Sequence, residues 1–277
     1  MPRCSKVTLF VLTLAIFSIG SVKAQSSASL VINEFMASNS DSIRDPQGQY
    51  DDWIEIHNFS SSPINVGGMY LTDDLSFPTK WQIPNTQALT VVTRGQYLLI
   101  WADNDTGQAG LHANFKLNAD GEEIGLFDKD GQTLIDSVIY SGQMTDISYG
   151  RYPDASEDWR FFTSPSPAAQ NAGGYLGEVA DTKFSHNRGF YDEPFYVTIA
   201  TETEGAMIYY TVDGSEPYSA SGRDPGGMVY TTPIGISRTT CLRAVAIKPG
   251  WMLSNIDTHT YIFLDDVIEQ PKYPPGF

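Results

Sequence analysis

Tyr97-Leu-Leu-Ile-Trp101 is apolar on both faces when extended. A run of this kind, five residues long and edged by polar positions, predicts the central strand of a sandwich, covered on both sides. Working outward, Leu30–Phe35, Trp53–His57, Glu123–Phe127 and Leu134–Tyr140 are rich in β-branched and aromatic residues and are bounded by Gly, Pro, Asn or Asp. Asp128-Lys-Asp-Gly131 separates two of these runs, with Gly131 where a left-handed backbone is easiest, so it predicts a hairpin. The pattern returns in Phe195–Ala200, Met207–Val212, Cys241–Ile247 and His259–Leu264, with Asp213-Gly214 as a further turn signal. Helical apolar spacing over ten or more residues is confined to the amino-terminal leader. The expected fold class is all-β: two antiparallel β-sandwiches in tandem.

Ser164-Pro-Ser-Pro-Ala-Ala-Gln-Asn-Ala-Gly-Gly-Tyr-Leu-Gly177 cannot hold a helix and divides the two strand-rich halves. Residues 25–172 are expected to form the first domain, 173–183 a linker, 184–264 the second domain and 265–277 a truncated linker. Ahead of them, Thr8 to Ile19 is apolar, preceded by Arg3 and Lys6 and followed by Val22-Lys-Ala24. That order predicts a signal peptide over residues 1–24, cut between Ala24 and Gln25. The apolar stretch falls short of the ~20 residues that a membrane span requires, so no stable span is expected after cleavage.

The 277-residue chain carries 17 basic and 33 acidic residues; less Arg3, Lys6 and Lys23, 14 basic residues remain and the formal charge is −19. Such a field opposes nucleic acid, whose nonspecific binding depends on Lys and Arg displacing counterions. It favours solubility or the holding of cations. Cys241 is the single cysteine behind the leader, which excludes an intramolecular disulfide and leans toward an exported bacterial protein. Heading an apolar strand, Cys241 is expected as a buried small hydrophobe.

Motifs in the first half are similar to those of lamin-tail domains. They are Leu30-Val-Ile-Asn-Glu-Phe-Met-Ala-Ser-Asn39, Asp52-Trp-Ile-Glu-Ile-His-Asn58 and Pro63-Ile-Asn-Val-Gly-Gly-Met-Tyr-Leu-Thr-Asp73, then Trp81-Gln-Ile-Pro84, Gly121-Glu-Glu-Ile-Gly-Leu-Phe127 and Ser148-Tyr-Gly-Arg-Tyr-Pro153. The second half resembles the immunoglobulin-like carboxyl-terminal domain of chitobiases and β-hexosaminidases, most specifically in Tyr210-Thr-Val-Asp-Gly-Ser-Glu-Pro217. Both resemblances imply an immunoglobulin-like fold, which makes the expected chain two immunoglobulin-like antiparallel β-sandwiches in tandem after a signal peptide, and they bring no catalytic residue. The order of the two, with a proline-rich end from Gln270 to Phe277, resembles the front of exported proteins that continue into a spore-coat-H-like kinase domain.

The residues support the same reading. No nucleophile elbow, paired-His zinc helix or phosphate loop appears in the sequence. His57, His112, His186 and His259 lie without ligand spacing, and His57 is expected as a hydrogen-bonded sheet histidine. Asp51-Asp52, Asp73-Asp74 and Asp103-Asn-Asp105 are oxygen-rich enough for calcium, but turn chemistry accounts for them and no cofactor or metal is assigned. Trp53, Trp81, Trp101 and Trp159 are expected in cores. Trp251, after Pro249-Gly250, is the exposed aromatic that sugar stacking would use. Asn58-Phe-Ser60 and Asn104-Asp-Thr106 are glycosylation sequons only in a eukaryotic source. The function expected is a non-enzymatic, secreted or cell-surface binding or spacer protein, with a cell-surface or extracellular polymer as the candidate partner. The alternatives are the accessory front of a larger exported enzyme and a carbohydrate-binding module.

Overall fold

The computed structural model describes residues 29–85, 87–219 and 225–268. The leader and its cleavage position, Ala24 and Gln25, lie outside the described residues, as does the chain beyond Ile268.

In the first half the strands are β1 (Leu30–Met36), β2 (Trp53–Asn58), β3 (Ile64–Asn65), β4 (Tyr70–Thr72), β5 (Trp81–Gln82), β6 (Val91–Val92), β7 (Tyr97–Ala102), β8 (His112–Ala113), β9 (Gly121–Phe127), β10 (Leu134–Ser141), β11 (Ser148–Arg151) and β12 (Trp159–Phe162). A one-turn helix, α1 (Gln87–Thr90), precedes β6. Six strands join in the order β12-β11-β1-β2-β7-β8 and four in the order β10-β9-β4-β5. Between these sheets lies one core that includes Ile32, Phe35, Ile54, Ile56, Leu71, Ile100, Ile124 and Leu126. The hairpin expected at Asp128–Gly131 joins β9 to β10, and Gly131 takes φ 66°.

β7 is covered on both faces as its composition predicts. Ile100 and partly buried Leu98 face the main core, while Trp101 and Leu99 pack with Met36, Trp53 and Ile43 in a second, smaller cluster on the outer face. A register shift in the β1·β2 pairing between Ile32 and Glu34 marks a bulge. The extra residue restores alternation after Asn33, so Phe35 points into the main core and Glu34 lies opposite Glu55.

The second half contains β13 (Lys183–Phe184), β14 (Gly189–Tyr191), β15 (Phe195–Val197), β16 (Ile199–Ala200), β17 (Met207–Thr211), β18 (Met228–Val229), β19 (Ile234–Ile236), β20 (Thr240–Ile247) and β21 (Asp257–Phe263). One sheet has the order β14-β21-β20-β17-β18, facing the pairs β15-β19 and β13-β16. Val197, Ile199, Ile236, Leu242, Ala244 and Tyr261 fill a separate core. A short, exposed helix, α2 (Leu264–Ile268), follows β21. Cys241 is half-buried at the start of β20.

Not every ladder is antiparallel: β8 runs parallel to β7, and β14 parallel to β21. Parallel neighbours need a connection that carries the chain back to its starting end. Residues 103–111 supply one, which brings His112 beside Trp101.

The segment between the halves is bonded at both ends. Tyr175 exchanges backbone hydrogen bonds with Phe161 at 2.9 and 2.8 Å; Leu176 N–H donates to Gly250 O, Met252 N–H to Gly177 O and Val179 N–H to Met252 O. Val179 is already in the second core.

Candidate functional site

Two polar clusters lie at the six-stranded sheet. The first is on its outer face, where Asn33, Glu34 and Glu55 meet the chain from Asp154 to Asn171. Ser148 Oγ donates to Glu34 Oε1 at 2.5 Å, and Ser166 donates through its amide and hydroxyl to the two oxygens of Glu34. Glu55 accepts the Ala168 amide at 2.6 Å and the Asn33 amide group at 3.2 Å. Asp154 accepts from the Asn171 amide and from the Tyr97 hydroxyl at 2.5 Å. These carboxyls act as acceptors that dock a loop, since buried oxygens must find donors.

Burial pushes Glu55 up to about 8, with the charges of Glu34 and Asp154 adding to it, against the pull of the Ala168 and Asn33 bonds. Glu34 is also raised, by burial first, despite its bonds from Ser148 and Ser166. A carboxyl raised in the folded state above its ordinary 4.5 stabilises the fold fully at lower pH and loses that contribution as pH rises toward its folded value. Burial lowers His57 below 6.5, so its contribution changes only on the acid side. Between pH 7 and 8 Glu55 is passing through its folded value, so urea midpoints for the first domain should fall as pH rises. The slope is at most about 1.4 kcal/mol per pH unit for one group. Glu55→Gln should flatten it; an equally steep slope in that variant would contradict the assignment.

The second cluster lies at the end of the sheet. β2 and β7 are antiparallel, with Trp53 opposite Trp101, so the loop before β2 meets the loop after β7. Asp45 stands in a tight turn: its Oδ1 accepts the amides of Gln47 and Gln49 at 2.9 and 2.7 Å. His112 Nδ1 lies 2.6 Å from Asp103 Oδ2, both groups buried, and Nε2 lies 3.3 Å from Ala109 O. One ligand-type atom from each of Asp45, Asp103 and His112 lies within 4.8 Å of the others. Asp51 joins them electrostatically: burial raises its carboxyl, and the charges of Asp103 and Asp45 raise it further.

Spacing along the chain points to neither His112 nor Asp45, yet the fold brings both to Asp103. Register was the missing signal. Asp73 and Asp74 are not part of this group; Asp73 pairs with Lys80 at 2.5 Å and Asp74 closes a turn through Ser76. His57 is a buried sheet histidine, 3.2 Å from Gln96 O and stacked on Tyr97. His186 and His259 sit among aromatic rings of the second core's edge.

Trp251 differs from its expected exposure. It is half-buried, packed on the second core, with Lys248 Nζ 4.5 Å from its ring centre. A Cβ at Gly177 would come within 2.8 Å of that ring, so the ring closes over the junction between the halves. Tertiary packing claims it because Pro249-Gly250 turns the chain back toward Leu176. Of the two sequons, Asn58 is fully buried with its amide group donating to Ser62 O and Val92 O, and only Asn104 is exposed.

Among the described residues no helix is long and apolar enough to cross a membrane. Comparison with curated proteins and with solved structures finds no match. Family models do match: the Lamin Tail Domain over residues 23–142 and the Chitobiase/beta-hexosaminidase C-terminal domain over residues 186–258. β11 and β12 lie beyond the first match but complete its six-stranded sheet. The chain thus carries a lamin tail domain followed by a chitobiase/β-hexosaminidase C-terminal domain, both immunoglobulin-like accessory folds.

Proposed function

We propose that the chain is a secreted, non-catalytic spacer and attachment unit that engages an extracellular polymer. The observation that carries this reading is the junction: residues 175–179 donate and accept backbone hydrogen bonds with Phe161 on one side and with Gly250 and Met252 on the other. Such a connection holds two sandwiches at a defined separation, which a loose tether does not. Extracellular placement is supported by the leader pattern and by the presence of both domain types, which often occur outside cells. The strong negative charge suits a solvated surface module.

Spin labels on one exposed position of each half, read by pulsed electron resonance on the full chain, test the spacer. A single narrow distance distribution is expected; a broad one spanning tens of ångströms would remove the reading. The order of the two domains also supports placement at the front of a larger exported enzyme. An antibody against the chain would then detect a native protein far larger than 30.5 kDa.

A further inference from the structure

We propose that Asp45, Asp103 and His112 form a binding site for a divalent transition-metal cation, of the zinc type. Three donors no more than 4.8 Å apart can each lie within about 2.8 Å of a common centre, so bonds of about 2.0–2.2 Å ask each group to move by less than about 1 Å.

Unmet hydrogen bonding marks the same place independently of the clustering. Asp45 is only 5% exposed, and its Oδ1 is fully employed by two backbone amides, yet its Oδ2 is buried with no donor. Two further oxygens of the same loops, Asp51 Oδ2 and Gln108 Oε1, are also buried and without a donor. Buried acceptors normally find a partner, and Asp45, one of the three clustered groups, holds an oxygen that has none. A cation at the cluster supplies what Asp45 Oδ2 lacks.

The donor set selects the class of ion. Two carboxylates and one imidazole are the mixed oxygen and nitrogen set that zinc accepts, while calcium and magnesium take oxygen alone. His112 Nδ1 and Asp103 Oδ2 lie 2.6 Å apart, so a cation held by both would replace the proton they share, and a Cβ at Gly110 would come within 3.1 Å of Nε2, so the loop closes tightly around the imidazole. Gln47 Nε2 ties the two loops together by donating to Ala109 O at 3.0 Å. A site of this sort would clamp the loop before β2 to the crossover before β8. Its effect is to close one end of the first sandwich.

The test uses the full chain, stripped with a chelator and dialysed. Titration with zinc chloride, and separately with manganese and calcium chloride, is followed by calorimetry and by thermal melting. Zinc is expected to bind at one equivalent and to raise the Tm of the first domain. Asp45→Asn is the informative variant, because its amide oxygen can still cap the turn and the fold should survive without the ion. It should bind zinc more than about tenfold more weakly, with a metal-free melt no lower than that of the wild type. His112→Gln should lose the same affinity. The proposal is overturned if the wild type binds no metal at one equivalent, if calcium alone binds, or if Asp45→Asn folds and titrates like the wild type.

Discussion

Arg151→Ala should destabilise the first domain by about 3–5 kcal/mol, measured by urea unfolding at pH 7, because it leaves a partnered buried charge without its partner. The Arg151 side chain is 3% exposed and its Nη2 lies 3.0 Å from both oxygens of Asp136, which is itself mostly buried. Burial pushes the Asp136 carboxyl up, and Arg151 is the largest influence holding it down. The pair also serves the bulge: Asp136 Oδ2 accepts the Ile32 amide at 2.7 Å, and Arg151 Nε donates to Ile32 O at 2.9 Å. Both backbone groups of Ile32, the residue before the bulge, are thereby satisfied by two side chains. Removing Arg151 also strips a 4.8 Å cation–π contact from Trp159. The double variant Arg151→Met with Asp136→Leu leaves no charge stranded but still strands the N–H and C=O of Ile32, so it should recover only part of the loss. A single variant within 1 kcal/mol of the wild type would refute this account of the pair.

Phe35→Ala should cost a similar amount, about 3–5 kcal/mol, for a different reason. Phe35 is fully buried at the centre of an aromatic group, with ring centres 4.6 Å from Tyr140, 5.9 Å from Tyr149 and 6.0 Å from Trp159. Tyr140 belongs to the four-stranded sheet and Tyr149 and Trp159 to the six-stranded one, so this ring joins the two layers. A hole here loses contacts on every side, and collapse around it is opposed by two sheets already fixed in register. Because the second core shares none of these residues, its own unfolding transition should keep its midpoint. Calorimetry that shows both transitions falling together would mean the two halves unfold as one unit.

Strand positions were legible in the sequence because their alternation and turn residues are local signals. Trp53–His57, Met207–Val212 and Cys241–Ile247 each fall within a residue or two of the observed strands. Coverage of both faces of Tyr97–Trp101 was legible for the same reason. The bulge at Asn33 was not, since it is visible only when β1 is laid against β2. Nor was the meeting of Asp45 with Asp103 and His112, residues far apart in the chain that the Trp53 and Trp101 pairing brings to one sheet end. A sequence window sees Asp45 and Asp103 as turn formers, and Asp45 Oδ1 does play that part. Its other oxygen carries the additional signal. Trp251 shows the converse: turn residues beside it suggested exposure, but the junction through Gly177 takes its ring into packing.

The most direct measurement on the central claim is retention of the full chain on insoluble extracellular polymers, with bacterial cell-wall sacculi, chitin and cellulose assayed side by side and the supernatant analysed for released sugars or peptides. Saturable retention on one of them, with no soluble product, is the result this account predicts. Release of product in proportion to protein and time would contradict it, because an attachment and spacing unit turns nothing over.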